Sequence, residues 1–298
     1  MEDGFLLPTP YPYLVPYFFG QRAVKREWIS SAKDKSPTKD DIKKVRELLY
    51  FATNHSLGGL LFAERQYLAS APVRSRPLRS YHPVPPSCDP EGAYIPMLFA
   101  NLSFYKSDEW EKLKAGLESF GKDAGLFDEI IVKPLGNKDV DPFHLQIRKS
   151  GKRMKGLLRN LIDVGYGVNQ VLPVITELLR SDPGIIHLLQ QPEVHLHPSA
   201  QAALGSFFCQ IVGRGKQQLV VETHSDYLID RVRMDVRDGD SDLASEDVSI
   251  LFFERKDTDV KIHSLSIDEE GNIANATDSY QDFFMDEINR SLWKRDKK

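Results

Sequence analysis

The chain has 298 residues, 41% of them hydrophobic and 28% charged, enough to bury a sizeable core and stay soluble. A net charge of -4 excludes a general electrostatic attraction to nucleic acid or anionic membrane, leaving room only for a local basic patch. Two cysteines, Cys88 and Cys209, offer neither a disulfide framework nor zinc spacing, which suits a reducing cytoplasm.

The first residues lack the form of a targeting signal. Glu2 and Asp3 stand where positive charge is needed, and Pro8, Pro10 and Pro16 interrupt the apolar residues. No uncharged apolar run reaches the ~18 residues of a membrane span. The expectation is a soluble, cytoplasmic protein. Residues 1–20, rich in Pro, Tyr and Phe, read as an extended arm. Residues 21–49 are rich in Lys and Arg, with a helix expected over Asp40–Leu49, and the basic run reads as a solvated face. Residues 69–96 carry seven prolines and read as one long loop.

From Ser107, which can cap, Trp110, Leu113, Leu117 and Phe120 fall on one helical face. Ile130–Val132 and His144–Arg148 look like short strands bracketing a turn at Gly136-Asn137. A Gly-rich turn, Asp163–Gln170, then opens a helix whose buried face is Val171, Leu172, Ile175, Leu178 and Leu179. Ile185–Leu189, between Pro183-Gly184 and Pro192, has the continuous apolar pattern of a buried parallel strand. A helix follows from Pro198 to Val212, punctuated by Gly213, with Ala203, Leu204, Phe207, Phe208 and Ile211 on one stripe. Gln218–Glu222 is the next strand, and Ser225 can cap the helix after it. Val248–Arg255 and Lys261–Ile267 read as a strand pair and Tyr280–Trp293 as a closing helix. Strand–helix alternation of this kind predicts an α/β layer with parallel strands.

Three segments carry candidate chemistry. A helix N-terminus after Gly165 and Gly167 offers backbone N–H groups and positive potential to a phosphate, with Asn169 as a further donor. The strand ending at Gln190, with Gln191 and Glu193 beyond it, delivers polar groups to the C-terminal edge of a sheet, where α/β proteins bind ligands. Val220–Ser225 brings Glu222, Thr223 and His224 to the same edge.

Several competing patterns read as structure. His195 and His197 form a two-residue metal-like pair without a third ligand at sensible spacing. Asp235, Asp238, Asp240 and Asp242 suit a solvated helix end and loop, and Phe252, Phe253, Phe283 and Phe284 suit a core. Glu222, His224 and Ser225 imitate a hydrolase triad without its nucleophile elbow.

The run Gln191–Pro198, followed by a helix and by Glu222–Ser225, resembles the Walker B and switch-histidine regions of SMC-like ABC ATPases. The closer likeness is to the AAA-labelled bacterial branch that includes the overcoming-lysogenisation-defect proteins and many phage-defence ATPases. Asp163–Pro173 resembles that branch's ABC signature, and Pro72–Pro83 its Pro/Arg-rich segment. The resemblance implies the C-terminal lobe of an ABC/SMC-type P-loop NTPase head over residues 67–298, preceded by an arm and helical segment over 1–66. The implied fold is a mainly parallel sheet with flanking helices and a C-terminal strand pair.

It further implies a head that dimerises around ATP and Mg2+. Gly165, Gly167, Asn169 and Gln170 would meet the γ-phosphate held by another protomer. His224 would sense that phosphate, and Glu193 with Gln191 would orient water. Gln190 stands at the Walker B acid that holds Mg2+ through water, where the family has Glu or Asp and a neutral amide is the poorer ligand for a hard cation. Asn169 stands where the signature usually has Ser, and its amide still donates.

The nearest P-loop match, Gly116–Lys122 followed by Asp123, falls inside the helix begun at Ser107 and reads as coincidence. The expectation is therefore a subunit whose P-loop comes from another chain, a protein partner or a homodimer. The alternative is a pseudo-ATPase serving as scaffold or regulator for an effector protein.

Overall fold

The computed structural model describes residues 67–84, 89–138, 141–151, 156–215, 217–277 and 280. The expected N-terminal arm, the Asp40–Leu49 helix, Cys88 and the closing helix beyond Tyr280 lie outside the described residues. The chain divides into two units, Met1–Arg65 and Gln66–Lys298, and the second is described below.

In chain order it runs β1 (Tyr67–Ser70), α1 (Ile95–Tyr105), α2 (Ser107–Asp123), β2 (Glu129–Pro134), β3 (Phe143–Arg148) and β4 (Leu158–Asn160). After a short 3-10 turn come α3 (Tyr166–Arg180), β5 (Ile186–Gln190), α4 (Pro198–Gly215), β6 (Gln218–Glu222) and α5 (Asp226–Asp238). The chain then forms β7 (Ser249–Lys256), β8 (Asp259–Ile267) and β9 (Ile273–Ala274). The strands make three sheets, β1-β5-β6, β2-β3-β4 and β7-β8-β9.

The first sheet is parallel throughout, with β5 central. In register, His187 and Leu189 of β5 share a face with Leu219 and Val221 of β6, and Leu189 belongs to the main core. The opposite face holds Tyr67 and Val220, 51% and 59% exposed. The same face also carries Ile186, which is buried, so its exposure is confined to the flanking positions. The second sheet is antiparallel and packs its alternating residues Ile130, Val132, Phe143, Leu145 and Ile147 into the same core as α1, α2 and α3. Aromatic contacts fix the junction. Phe143 stacks on Tyr81 at 5.6 Å and meets Phe104 edge-on at 6.4 Å.

The helices form where apolar spacing and caps permit. In α2, Trp110, Leu113, Leu117 and Phe120 are buried as their spacing predicts, and residues 116–122 are helical. Ser107 is the first residue of this helix and Lys106 occupies the N-cap, so the expected Ser107 cap is not made. The Ser225 side chain does cap α5, accepting from the Leu228 N–H at 3.1 Å. In α4 the expected stop at Gly213 is overrun to Gly215. Gly213 packs closely on Asp242, which a helical glycine with no side chain permits.

The long-loop expectation for residues 69–96 holds only in its middle. β1 ends at Ser70 and α1 begins at Ile95, and the strap between them pairs Tyr81 with Phe143 through two backbone hydrogen bonds. Gly92, at φ +72°, lies so close to Pro173 that a β-carbon would stand 2.5 Å from the proline ring. In the C-terminal meander, β7 and β8 pair from Ser249–Ser266 to Lys256–Asp259. Phe253, expected in the core, is 61% exposed, because it faces away from the side on which Phe252 meets Tyr280. Asp235, expected at a solvated helix end, is buried.

His187 is a buried imidazole in the middle of β5, with neither ring nitrogen hydrogen-bonded. Burial pulls its pKa down to about 4. The unfolded chain therefore binds a proton between about pH 6.5 and pH 4 that the folded chain refuses, so this contribution to stability is present above that window and lost on acidification through it. We expect the urea midpoint to fall between pH 6.5 and 5, and the slope to be shallower in His187→Phe. Equal slopes in the two proteins would show that His187 ionises freely in the fold.

Candidate functional site

β5 ends at one sheet edge and the chain there turns sharply. Gln191 and His195 both adopt positive φ, 42° and 65°, which non-glycine residues seldom do outside specific turns. The Gln191 N–H donates to the Glu222 carbonyl at 2.8 Å, and the exposed Gln190 lies in register with Glu222. The Gln191 side-chain amide donates to the Glu222 carboxylate at 3.4 Å. His197 immediately precedes α4, its carbonyl accepting from the Ala200 and Gln201 N–H groups. His195 and His197 are both exposed.

Glu193 is 6% exposed. Its Oε1 accepts from the Thr223 hydroxyl at 2.7 Å and the His224 N–H at 2.9 Å, while its Oε2 is buried without a protein partner. The carboxylate thereby ties the turn after β5 to the end of β6, and charge-assisted bonds of this kind are among the stronger ones. His224 itself is exposed. Thr223 also accepts from the Ser225 N–H at 3.0 Å, so Glu193, Thr223 and Ser225 form one continuous line into the α5 cap.

The Gly-rich turn meets this edge. Gly167 is buried, and a β-carbon there would stand 2.5 Å from the His195 carbonyl oxygen. The Tyr166 ring meets the His195 ring edge-on, centroids 5.0 Å apart. Gly165, the exposed N-cap of α3, has open space around it and no side-chain cap. Asn169 donates its amide to the Ser75 carbonyl at 2.7 Å. Gln170 is fully buried, accepting from the Arg74 N–H at 3.0 Å and donating to the Arg74 carbonyl at 3.2 Å. Of the four turn residues expected to face a phosphate, Gly165 lies open to solvent while Asn169 and Gln170 are engaged by the strap.

Arg74, a residue the sequence did not single out, is the strap's contribution. It is 1% exposed. Its guanidinium donates to the carbonyls of Gln190 at 3.2 Å and Gln191 at 3.4 Å, and to the Ser70 hydroxyl at 3.3 Å. Burial lowers its pKa to about 10, an effect that the nearby Glu193 carboxylate opposes. The only sequence signal for it was membership of the Pro/Arg-rich segment. Arg79 is the contrasting case, an exposed arginine paired with Asp163 at 2.6 Å.

Among the described residues no three His, Cys, Asp or Glu side chains are grouped to hold a metal ion. Gln190 and Gln191 are neutral, Glu193 places one oxygen on the end of β6, and the Glu222 carboxylate braces Gln191. Among the described residues these donors form no closed cage for Mg2+, and an ion at this edge would need oxygens from a nucleotide or water as well. The open start of α3 does fit an anionic oxygen, since its N-cap has no side chain competing for the first-turn amides.

Residues 97–230 match a family model described as "AAA domain, putative AbiEii toxin, Type IV TA system". Residues 243–294 match one described as a protein of unknown function, DUF3696. No match is found among curated proteins. Among solved structures, an SMC ATPase described for ATP-driven dimerization and DNA-stimulated activation is similar at 12% identity with a TM-score of 0.41. That likeness covers 67% of this chain and 99% of that one. The Smc head domain of Pyrococcus furiosus with the C-terminal domain of ScpA is similar at 10% identity, TM-score 0.38, over 63% of this chain and 39% of that one. An Smc head bound to the C-winged helix domain of ScpA gives 13%, 0.40, 57% and 49% respectively. This chain thus spans less than half the length of these last two. The first of these matched segments holds α3, β5, β6 and the turns between them.

The close approach at Gly167 sets a clear contrast. Gly167→Ala must displace the His195 carbonyl and is expected to cost about 1–3 kcal/mol in a urea titration, whereas Gly165→Ala, in open space, should cost less than about 1 kcal/mol. Equal costs would mean that the α3 start does not rest on the β5 turn.

Proposed function

We propose that this chain contributes a signature turn, a Walker B-like strand end and a switch histidine to an ATP site completed by a P-loop from another chain. The observation that carries the proposal is the convergence at one sheet edge. Gln190 and Gln191 leave β5, Glu222 and His224 leave β6, and the α3 start rests on the turn between them. In this proposal residues 67–298 are the head and residues 1–66 a separate arm and helical segment. The resemblance to phage-defence ATPases suggests that setting, in the cytoplasm.

Each group has a limited role here. The amides at the start of α3, at Gly165 and Tyr166, would receive γ-phosphate oxygens presented by the partner. His224, whose backbone is pinned by Glu193, would donate from its ring to the same group. Gln191, braced by Glu222, would hold the attacking water in line. Positioning and charge neutralisation of this sort are what phosphoryl transfer requires. Mg2+ would arrive with the partner's nucleotide, because the described residues offer it no group of three His, Cys, Asp or Glu ligands.

The two neutral amides at Gln190 and Gln191 support a second reading, a catalytically silent head used as a scaffold or regulator for an effector protein. The two diverge over turnover. A Gln190→Glu chain mixed with its P-loop partner should hydrolyse ATP at least tenfold faster than the unsubstituted mixture. No turnover in either mixture would favour the scaffold.

A further inference from the structure

The strap between β1 and α1 touches both halves of the site through one residue. Its backbone at Arg74 is held on both polar atoms by the Gln170 side chain, at 3.0 and 3.2 Å. The Asn169 amide holds the next carbonyl, that of Ser75, at 2.7 Å. From the same residue the guanidinium reaches forward to the Gln190 and Gln191 carbonyls and to Ser70. We propose that Arg74 is a positioning residue that couples the start of α3 to the exit of β5, so that displacing Gln170 displaces the backbone presenting Gln190 and Gln191.

The physical basis is the cost of leaving a buried donor unmet. A guanidinium with almost no water contact cannot release its carbonyl acceptors without losing charge-assisted bonds, and its planar fork fixes the direction of each. Gln170 is likewise fully buried, so its amide has no water to turn to in place of Arg74. Motion of the first turn of α3 is therefore carried to the carbonyls at the β5 exit. A lysine could supply the charge but not the fork. The functional consequence rests on the ATP-site proposal above, whereas the coupling itself is a property of the free chain and is tested without nucleotide.

The test is amide hydrogen exchange on the full chain, with Gln170→Ala, Arg74→Met, Arg74→Lys and the Gln170→Ala/Arg74→Met double variant. Gln170 makes no bond to the β5 exit, so the coupling predicts at least tenfold faster exchange at Gln191 and Val194 in Gln170→Ala. The Arg74→Met variant should show a similar increase, and the double variant no further one. The Ile130–Val132 and Leu145–Ile147 amides in the second sheet should stay unchanged. Arg74→Lys should behave like Arg74→Met. Faster exchange confined to residues 166–170, or additive effects in the double variant, would overturn the coupling. Wild-type exchange in Arg74→Lys would overturn the role of the fork. Should Gln170→Ala not fold, Gln170→Glu keeps the acceptor for the Arg74 N–H and loses the donor to its carbonyl, and the same two outcomes decide.

Discussion

A guanidinium taken out of water must find its acceptors inside the protein, and Arg74 finds two of them in the carbonyls at the exit of β5. Across the same turn, the Glu193 carboxylate is withdrawn from water and meets the hydroxyl and the N–H at the end of β6. Both charges are buried, and neither can lose its partners cheaply. The positive φ of Gln191 and His195 is the backbone shape that lets the chain pass between them. Everything that gives this edge its chemistry hangs from that turn: the exposed His224, the Gln191 amide and the α3 start seated on the His195 carbonyl.

The large features of the fold were legible because they are written in periodicity. The α2 stripe, the apolar run of β5, the strand of Gln218–Glu222 and the Ser225 cap all arise from local pattern and reappear in place. What was hidden depends on long-range contact. β1 has only four residues and no alternation to mark it, and it is a strand because β5 lies beside it. The start of α1 sits inside a proline-rich stretch, where Pro96 is tolerated in the first turn. Phe253 and Asp235 were misplaced because strand face and helix neighbour, not residue type, decide burial.

The site shows the same division. The segments that form it were identifiable by their order, and the fold brings them to one edge. The tasks of individual side chains were not. Asn169 and Gln170 have the donors a phosphate would want, yet both amides are turned to the strap, and Arg74 is invisible without knowing what lies beneath it. Gln190 and Gln191 put neutral amides at the β5 exit beside the Glu222 carboxylate, a polar surface suited to completion by another chain's nucleotide.

We propose the edge as one half of a composite ATP site. The most direct measurement is purification of the protein from its own cells under native conditions, with mass spectrometry of what accompanies it in fixed proportion. A stoichiometric companion bearing a P-loop is expected, or a second copy of the chain carrying one within a longer form. A stable complex in which no chain has a P-loop would contradict it.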